Sequence, residues 1–161
     1  MYLSLGSNLG DREGNLRAAL ERLKPERVSR IYETEPVDLR AQPNFLNLAA
    51  ELKTSLMPMQ LLAHTQRIER ELGRVPTVPK GPRTIDIDIL FYGSSVIRSA
   101  KLEVPHPRLH ERRFVLAPLA ELAPDFRHPI THQTVSEMLS ALPGAQGVRL
   151  WPSAPGPRLP R

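Results

Sequence analysis

Apolar positions along the chain follow two spacings in turn, and the switches between them mark out the elements. "MYLSLGSN" carries a short apolar run into a Gly-Ser-Asn turn, which predicts a strand. Asp11 then offers an N-cap, and Leu16, Ala19, Leu20 and Leu23 recur at helical spacing until Pro25 stops the run. "ERVSRIYETEPV" reads as one strand that breaks at Pro36, and the polar "VDLRAQPN" as a loop. The next strand runs from Phe45 to Leu52. Its alternation sends Leu46, Leu48, Ala50 and Leu52 to one face and Phe45, Asn47, Ala49 and Glu51 to the other.

Pro58 suits the first position of a second helix, where its missing N–H costs little; Leu61, Thr65, Ile68 and Leu72 mark the buried stripe and Gly73 the end. "RVPTVPKGPR" is a loop with three prolines and three cations, and "TIDIDILF" after it is a strand. Segments around 111–122 and 134–142 read as helical or irregular, and residues 152–161, with four prolines in ten, as an irregular tail. Strand, helix, strand, strand, helix, strand predicts an α+β, ferredoxin-like βαββαβ fold. Its mostly antiparallel four-stranded sheet would carry the helices on one face, leave the other free for a site, and be followed by extra C-terminal segments. One domain is expected over residues 1–161.

Composition narrows the chemistry. With no cysteine, the chain has no disulfide framework, thiolate metal site or cysteine nucleophile. No apolar run approaches the roughly 20 residues that span a bilayer, and the first residues lack a basic start before a long apolar stretch, so a soluble, cytoplasmic protein is expected. A net charge of +5 favours an anionic partner without choosing between nucleic acid and phosphorylated metabolites.

The most informative stretch is "GPRTIDIDIL". In a strand Ile85, Ile87 and Ile89 enter the core, while Asp86 and Asp88 stand together on the opposite face. Two carboxylates roughly 6 to 7 Å apart repel by about 0.6 kcal/mol in water, and about four times more at an effective dielectric near 20. A cation would relieve that repulsion, and Mg²⁺ accepts one or two such oxygens with waters and phosphates completing its sphere. The alternative is a solvated strand face, and the neighbours weigh against it: Arg74, Lys80 and Arg83 precede the pair, and Lys101, His106, Arg108, Arg112 and Arg113 follow. Paired carboxylates beside phosphate-gripping cations suit Mg²⁺-dependent phosphoryl transfer, and without a Walker A sequence the phosphates would be held by side chains and metal.

Taken in order, "LSLGSNLGD", "QPNFLNLA", "HTQRIERELGR", "GPRTIDIDILFYG" and "VPHPRLHERRFVLAPLAELAP" resemble the 6-hydroxymethyl-7,8-dihydropterin pyrophosphokinases of folate biosynthesis over roughly residues 1 to 130. The resemblance implies transfer of pyrophosphate from ATP, the co-substrate, to 6-hydroxymethyl-7,8-dihydropterin, with two Mg²⁺ ions held by Asp86 and Asp88. It implies Arg74 and Arg83 as catalytic cations closing over the phosphates, and nucleotide contacts from Gln66, Glu69, Lys101, His106 and Arg112. The pterin would stack between Phe45 and Phe114, with Asn47 reading its edge, Thr34, Pro36 and Val37 lining the pocket, and Asp86 near its hydroxyl. A monomer with no nucleic-acid or membrane partner is expected. Lys80 stands where the family often has tryptophan, Pro107 where an aromatic is common, and the loop between Arg74 and Arg83 is one residue short. His64, His110, His128 and His132 read as structural or solvent-facing. Two other classes compete: an RNA-binding ferredoxin-like module, disfavoured by an aromatic content of only 5%, and a two-metal nuclease.

Overall fold

The computed structural model describes residues 1–35, 42–73, 83–144 and 147–152. Strand β1 is Tyr2–Ser7 and helix α1 is Arg12–Leu23. Asp11 caps the helix by accepting from the Gly14 N–H at 3.1 Å, and Leu16, Ala19, Leu20 and Leu23 are its buried residues, as the spacing predicts. Strand β4 is Phe45–Glu51, helix α2 is Pro58–Glu71, opened by its proline, and strand β5 is Asp86–Phe91.

Between α1 and β4, the single predicted strand is instead two short ones, β2 (Arg27–Val28) and β3 (Tyr32–Thr34), both paired with β4. Ser29 is the physical reason. Its hydroxyl oxygen accepts the Ala49 N–H at 2.8 Å while its own N–H donates to the Ala49 carbonyl at 2.9 Å, so a side chain fills a place in the ladder that a regular strand gives to a carbonyl.

The main sheet is antiparallel and six-stranded, in the order β5-β1-β4-β3-β8, with β2 also on β4 and β8 spanning Val148–Leu150. A four-stranded sheet is therefore a correction, and β8 is an element that the sequence pattern does not announce. Strands β6 (Ile97–Arg98) and β7 (Glu103–Val104) form a separate ribbon, a short 3-10 turn covers Leu109–Glu111, and helices α3 (Arg113–Leu122) and α4 (Val135–Ser140) follow.

The faces also need correcting. Leu3, Leu5, Leu46, Leu48, Ile85, Ile87 and Ile89 pack with residues of α1 and α2 on one side, as alternation predicts. On the other side Ala49, Leu90 and Phe91 are buried against Val115, Leu116 and Leu119 of α3 and Val135 and Met138 of α4. Leu90 and Phe91 both reach this second cluster because pairing between β1 and β5 shifts register between Tyr2 and Leu3. The second face is thus covered over one half; Gly6, Phe45, Asn47, Asp86 and Asp88 lie toward the other. Among the described residues no helix is long and apolar enough to cross a membrane.

Candidate active site

Register places the chemistry. Asp88 pairs with Ser4, which pairs with Ala49; Asp86 pairs with Gly6, which pairs with Asn47; Thr34 pairs with Phe45. Directly opposed residues share a face, so these side chains lie in adjacent rows on one surface. Asp86 and Asn47 stand two strand spacings apart, roughly 10 Å, with Gly6 as the floor between them. Glycine is required there: a Cβ on Gly6 would lie 2.7 Å from Asn47 Oδ1 and 3.5 Å from Phe45 Cδ1. Asn47, buried, leans over that floor and donates from Nδ2 to Thr34 Oγ1 at 2.6 Å.

Arg83 joins the two halves. Its guanidinium contacts Asp86 at 3.2 Å, and its Cζ lies 5.4 Å from the Phe45 ring centroid. Its backbone is gripped by Asn8, whose Oδ1 accepts the Arg83 N–H at 2.9 Å and whose own N–H donates to the Arg83 carbonyl at 3.2 Å. Asn8 Nδ2 donates to Gln42 Oε1 at 2.7 Å and to the Pro43 carbonyl at 3.1 Å. At 1% exposure, this one side chain pins the entry to β5 and the approach to Phe45 together. Neither Gly6 nor Asn8 is among the residues that sequence reasoning selects, although the "GSN" turn directly after a core strand is the signal that could have found them.

Glu69 is buried on α2, and its Oε2 accepts the Ile87 N–H at 2.9 Å, between the two aspartates. It braces the carboxylate-bearing strand whatever else it meets. Gln66 is exposed on the same helix, and Lys101 is exposed between β6 and β7. His106 follows β7; its N–H donates to the Leu90 carbonyl at 2.9 Å and its Nδ1 accepts the Arg108 N–H at 3.3 Å. Burial first, then the Arg112 charge, lowers its pKa to about 4, against an opposing pull from Asp86, so the ring is neutral near pH 7 and its remaining N–H is on Nε2. Arg112 lies with its Cζ 5.6 Å from the ring of Phe114, which is half-buried at the start of α3. The structure therefore brings Arg83, Asp86 and Phe45 into contact, couples Asn47 to Thr34, and sets His106 within the fields of Asp86 and Arg112. Arg74, Pro36 and Val37 lie outside the described residues. Of the histidines read as structural, His128 is buried and accepts the Ile130 and Thr131 N–H groups on Nδ1.

The donor set fits a hard divalent cation. Asp86 and Asp88 supply carboxylate oxygens on one face, and among the described residues no group of three or more His, Cys, Asp or Glu could enclose a metal ion alone. Such a partial set suits Mg²⁺, which keeps waters and takes phosphate oxygens. Thr84 Oγ1, two residues before Asp86, is buried and has no hydrogen-bond partner among the described residues, a further oxygen beside the pair.

Residues 2–124 match the family model described as 7,8-dihydro-6-hydroxymethylpterin-pyrophosphokinase. The chain is 48% identical to the 2-amino-4-hydroxy-6-hydroxymethyldihydropteridine pyrophosphokinase of Bacillus subtilis, covering 96% of this chain and 92% of that protein. It is 46% identical to the folic acid synthesis protein fol1 of Schizosaccharomyces pombe over 94% of this chain, but spans only 21% of that longer protein. Among solved structures, the HPPK-DHPS of Plasmodium falciparum superposes with a TM-score of 0.68 at 16% identity, over 86% of this chain and 43% of the other, a likeness of fold.

Proposed function

The chain belongs to the 7,8-dihydro-6-hydroxymethylpterin-pyrophosphokinase family, and from that premise we propose that it transfers the pyrophosphoryl group of ATP to 6-hydroxymethyl-7,8-dihydropterin. The pterin hydroxymethyl oxygen attacks the β-phosphorus, the bond from the β-phosphorus to the oxygen bridging it to the α-phosphorus breaks, and AMP leaves with that bridging oxygen. The observation that carries this reading is Arg83, shared between a carboxylate and an aromatic ring on adjacent rows of one sheet face. An anionic phosphate chain belongs beside the first and a flat heterocycle beside the second. The side-chain-free floor at Gly6, flanked by Phe45 and Asn47, suits a planar ring, and Asn47 has one amide group engaged by Thr34 and a carbonyl oxygen left to accept from the pterin edge.

Asp86 and Asp88 would hold two Mg²⁺ ions, whose contribution when bound is to neutralise the phosphates and lower the charge cost near the attacking hydroxyl. Arg83 follows the negative charge that develops during transfer, and Arg74 is assigned the same task on the phosphate side. Neutral His106 offers its Nε2–H to a phosphate oxygen, while Lys101, Arg112, Gln66 and Glu69 complete the nucleotide side. Phe114 is assigned to close the pterin stack opposite Phe45, and Pro36 and Val37 are assigned with Thr34 to the pterin side. Asp86, directly or through a water, accepts the hydroxymethyl proton. We read the chain as one pyrophosphokinase domain over residues 1–161 built on a ferredoxin-like core, acting as a cytoplasmic monomer on small molecules, not nucleic acid.

The test is direct. Incubation with ATP and the pterin alcohol should yield equimolar AMP and dihydropterin pyrophosphate, and chelation of Mg²⁺ should stop it. ADP as the nucleotide product, with a monophosphorylated pterin or free phosphate beside it, would overturn the assignment.

A further inference from the structure

We propose that the C-terminal strand β8 and Arg12 form a latch that sets the pterin side of the site, with Arg12 as its positioning residue. This rests on the reading that Thr34, Phe45 and Asn47 line the pterin pocket. The latch lies beyond the family match at 2–124 on one side and in the first turn of α1 on the other.

Strand β8 pairs residue by residue with β3: Leu150 with Tyr32, Arg149 with Glu33, and Val148 with Thr34. Pairing continues past both ends, where the Trp151 N–H donates to the Ile31 carbonyl at 2.9 Å and the Glu35 N–H to the Gly147 carbonyl at 3.3 Å. The outer edge of the strand carrying Thr34 is thereby held along its length. Without β8, β3 would be an edge strand of three residues.

Side chains tie this edge to the other pocket wall. Arg12 Nη1 donates to Glu33 Oε2 at 3.2 Å and to the Asn44 carbonyl at 2.9 Å, and Asn44 immediately precedes Phe45. The Arg12 guanidinium sits 5.1 Å from the Trp151 ring centroid, the Trp151 indole N–H donates to Glu13 Oε1 at 3.1 Å, and Arg149 Nε donates to Glu33 Oε1 at 3.0 Å. A planar, always-charged fork with its face on an indole and its edge on a carboxylate and a carbonyl is a task for arginine that lysine does not reproduce. Glu33 carries both cations at 13% side-chain exposure, and both arginines lower its pKa. One knot thus fixes the backbone before Phe45 and the strand that ends at Thr34. Arg83 meets the walls held by the knot only at the Phe45 ring, and its contact with Asp86 and the Asn8 grip on its backbone are made apart from Arg12, so loosening the knot should misplace the pterin walls far more than it disturbs nucleotide binding.

The test compares KM for pterin, KM for ATP and kcat in the full chain for Arg12→Ala, Arg12→Lys and Trp151→Phe, with Asn47→Ala as a reference for the pocket itself. Arg12→Ala should raise the pterin KM about tenfold, with Arg12→Lys recovering little of that loss. Trp151→Phe keeps a ring under Arg12 and loses only the donation to Glu13, so it should shift the pterin KM by about threefold or less. The ATP KM should stay within about twofold throughout. If Asn47→Ala raises the pterin KM while Arg12→Ala leaves it unchanged, or if Arg12 variants raise both KM values equally, the latch is overturned and the pocket stands. If Asn47→Ala has no effect on pterin, the pocket reading itself fails. Should Arg12→Ala not fold, Arg12→Lys, which keeps the charge on Glu33, decides by the same split.

Discussion

At the scale of single residues, the site depends on charges held where water alone would not hold them. Asp88 stands on the wet face of β5 with Ile87 and Ile89 buried on either side, so its carboxylate can be removed without opening the core. Asp88→Ala should therefore reduce pyrophosphoryl transfer by at least about a thousandfold while circular dichroism and the thermal midpoint stay near wild type, since the core around Ile87 and Ile89 stays filled and the loss falls on holding and stabilising the phosphates. Full activity at limiting Mg²⁺ would remove Asp88 from the metal set. His106 makes a prediction of the opposite kind. Its folded pKa of about 4 lies below the ordinary 6.5, so the unfolded chain binds a proton there that the native protein refuses. Stability is unaffected above pH 6.5, falls as pH drops from 6.5 toward 4, and loses no more below that. Replacing His106 with Gln should flatten that part of the stability curve measured by urea unfolding; an unchanged slope would show that the ring does not titrate as its burial implies.

Elements put these residues in reach of one another, and this is where sequence patterning succeeds and then stops. Period-two alternation in "FLNLAAE" and "DIDILF" is enough to place Phe45 with Asn47 and Asp86 with Asp88, because a strand with one face in a leucine and isoleucine core has only one register that works. The break at Ser29 escapes such reasoning, since a hydroxyl standing in for a carbonyl leaves no trace in hydropathy. So does strand β8: three residues with one half-buried and two exposed carry no period, and the strand exists only because β3 offers an unpaired edge. Gly6 and Asn8 are hidden for a different reason, being small or polar residues whose value lies in partners distant along the chain. Their effects are predictable now. Gly6→Ala should displace Asn47 from Thr34, costing about 1–3 kcal/mol of stability by overpacking and raising the pterin KM more than the ATP KM. Asn8→Ala removes three side-chain hydrogen bonds from a buried position, and should cost about 2–4 kcal/mol in chemical denaturation, with the contacts to Gln42, the Pro43 carbonyl and the Arg83 N–H lost together.

For the whole molecule, the sheet has two unequal faces: one fully packed by α1 and α2, the other half packed by α3 and α4 and half given to the site. The packing of α3 and α4 on that second face carries Phe114 with it, and Arg112, over the Phe114 ring, acts on the same His106 that Asp86 does, a convergence that could not be read from local periodicity. On the proposed assignment of the site it also separates the electrical character of the two substrates' surroundings. The net charge of +5 is not spread evenly in its consequences: Arg83 contacts Asp86, and Arg112 acts on the neutral His106 that also feels Asp86, whereas the proposed pterin walls at Thr34, Asn47 and Phe45 are themselves uncharged, with Arg83 reaching them only at the Phe45 ring. A neutral pterin gains nothing from a long-range field, while a nucleotide triphosphate is drawn by one that salt screens over about 10 Å at 0.1 M and about 3 Å at 1 M. Raising KCl from low to high concentration at constant excess Mg²⁺ should therefore raise the ATP KM several-fold and leave the pterin KM within about twofold. Equal sensitivity of the two constants would mean that the cations around Asp86 act only at contact distance, or that the phosphates lie elsewhere on this face.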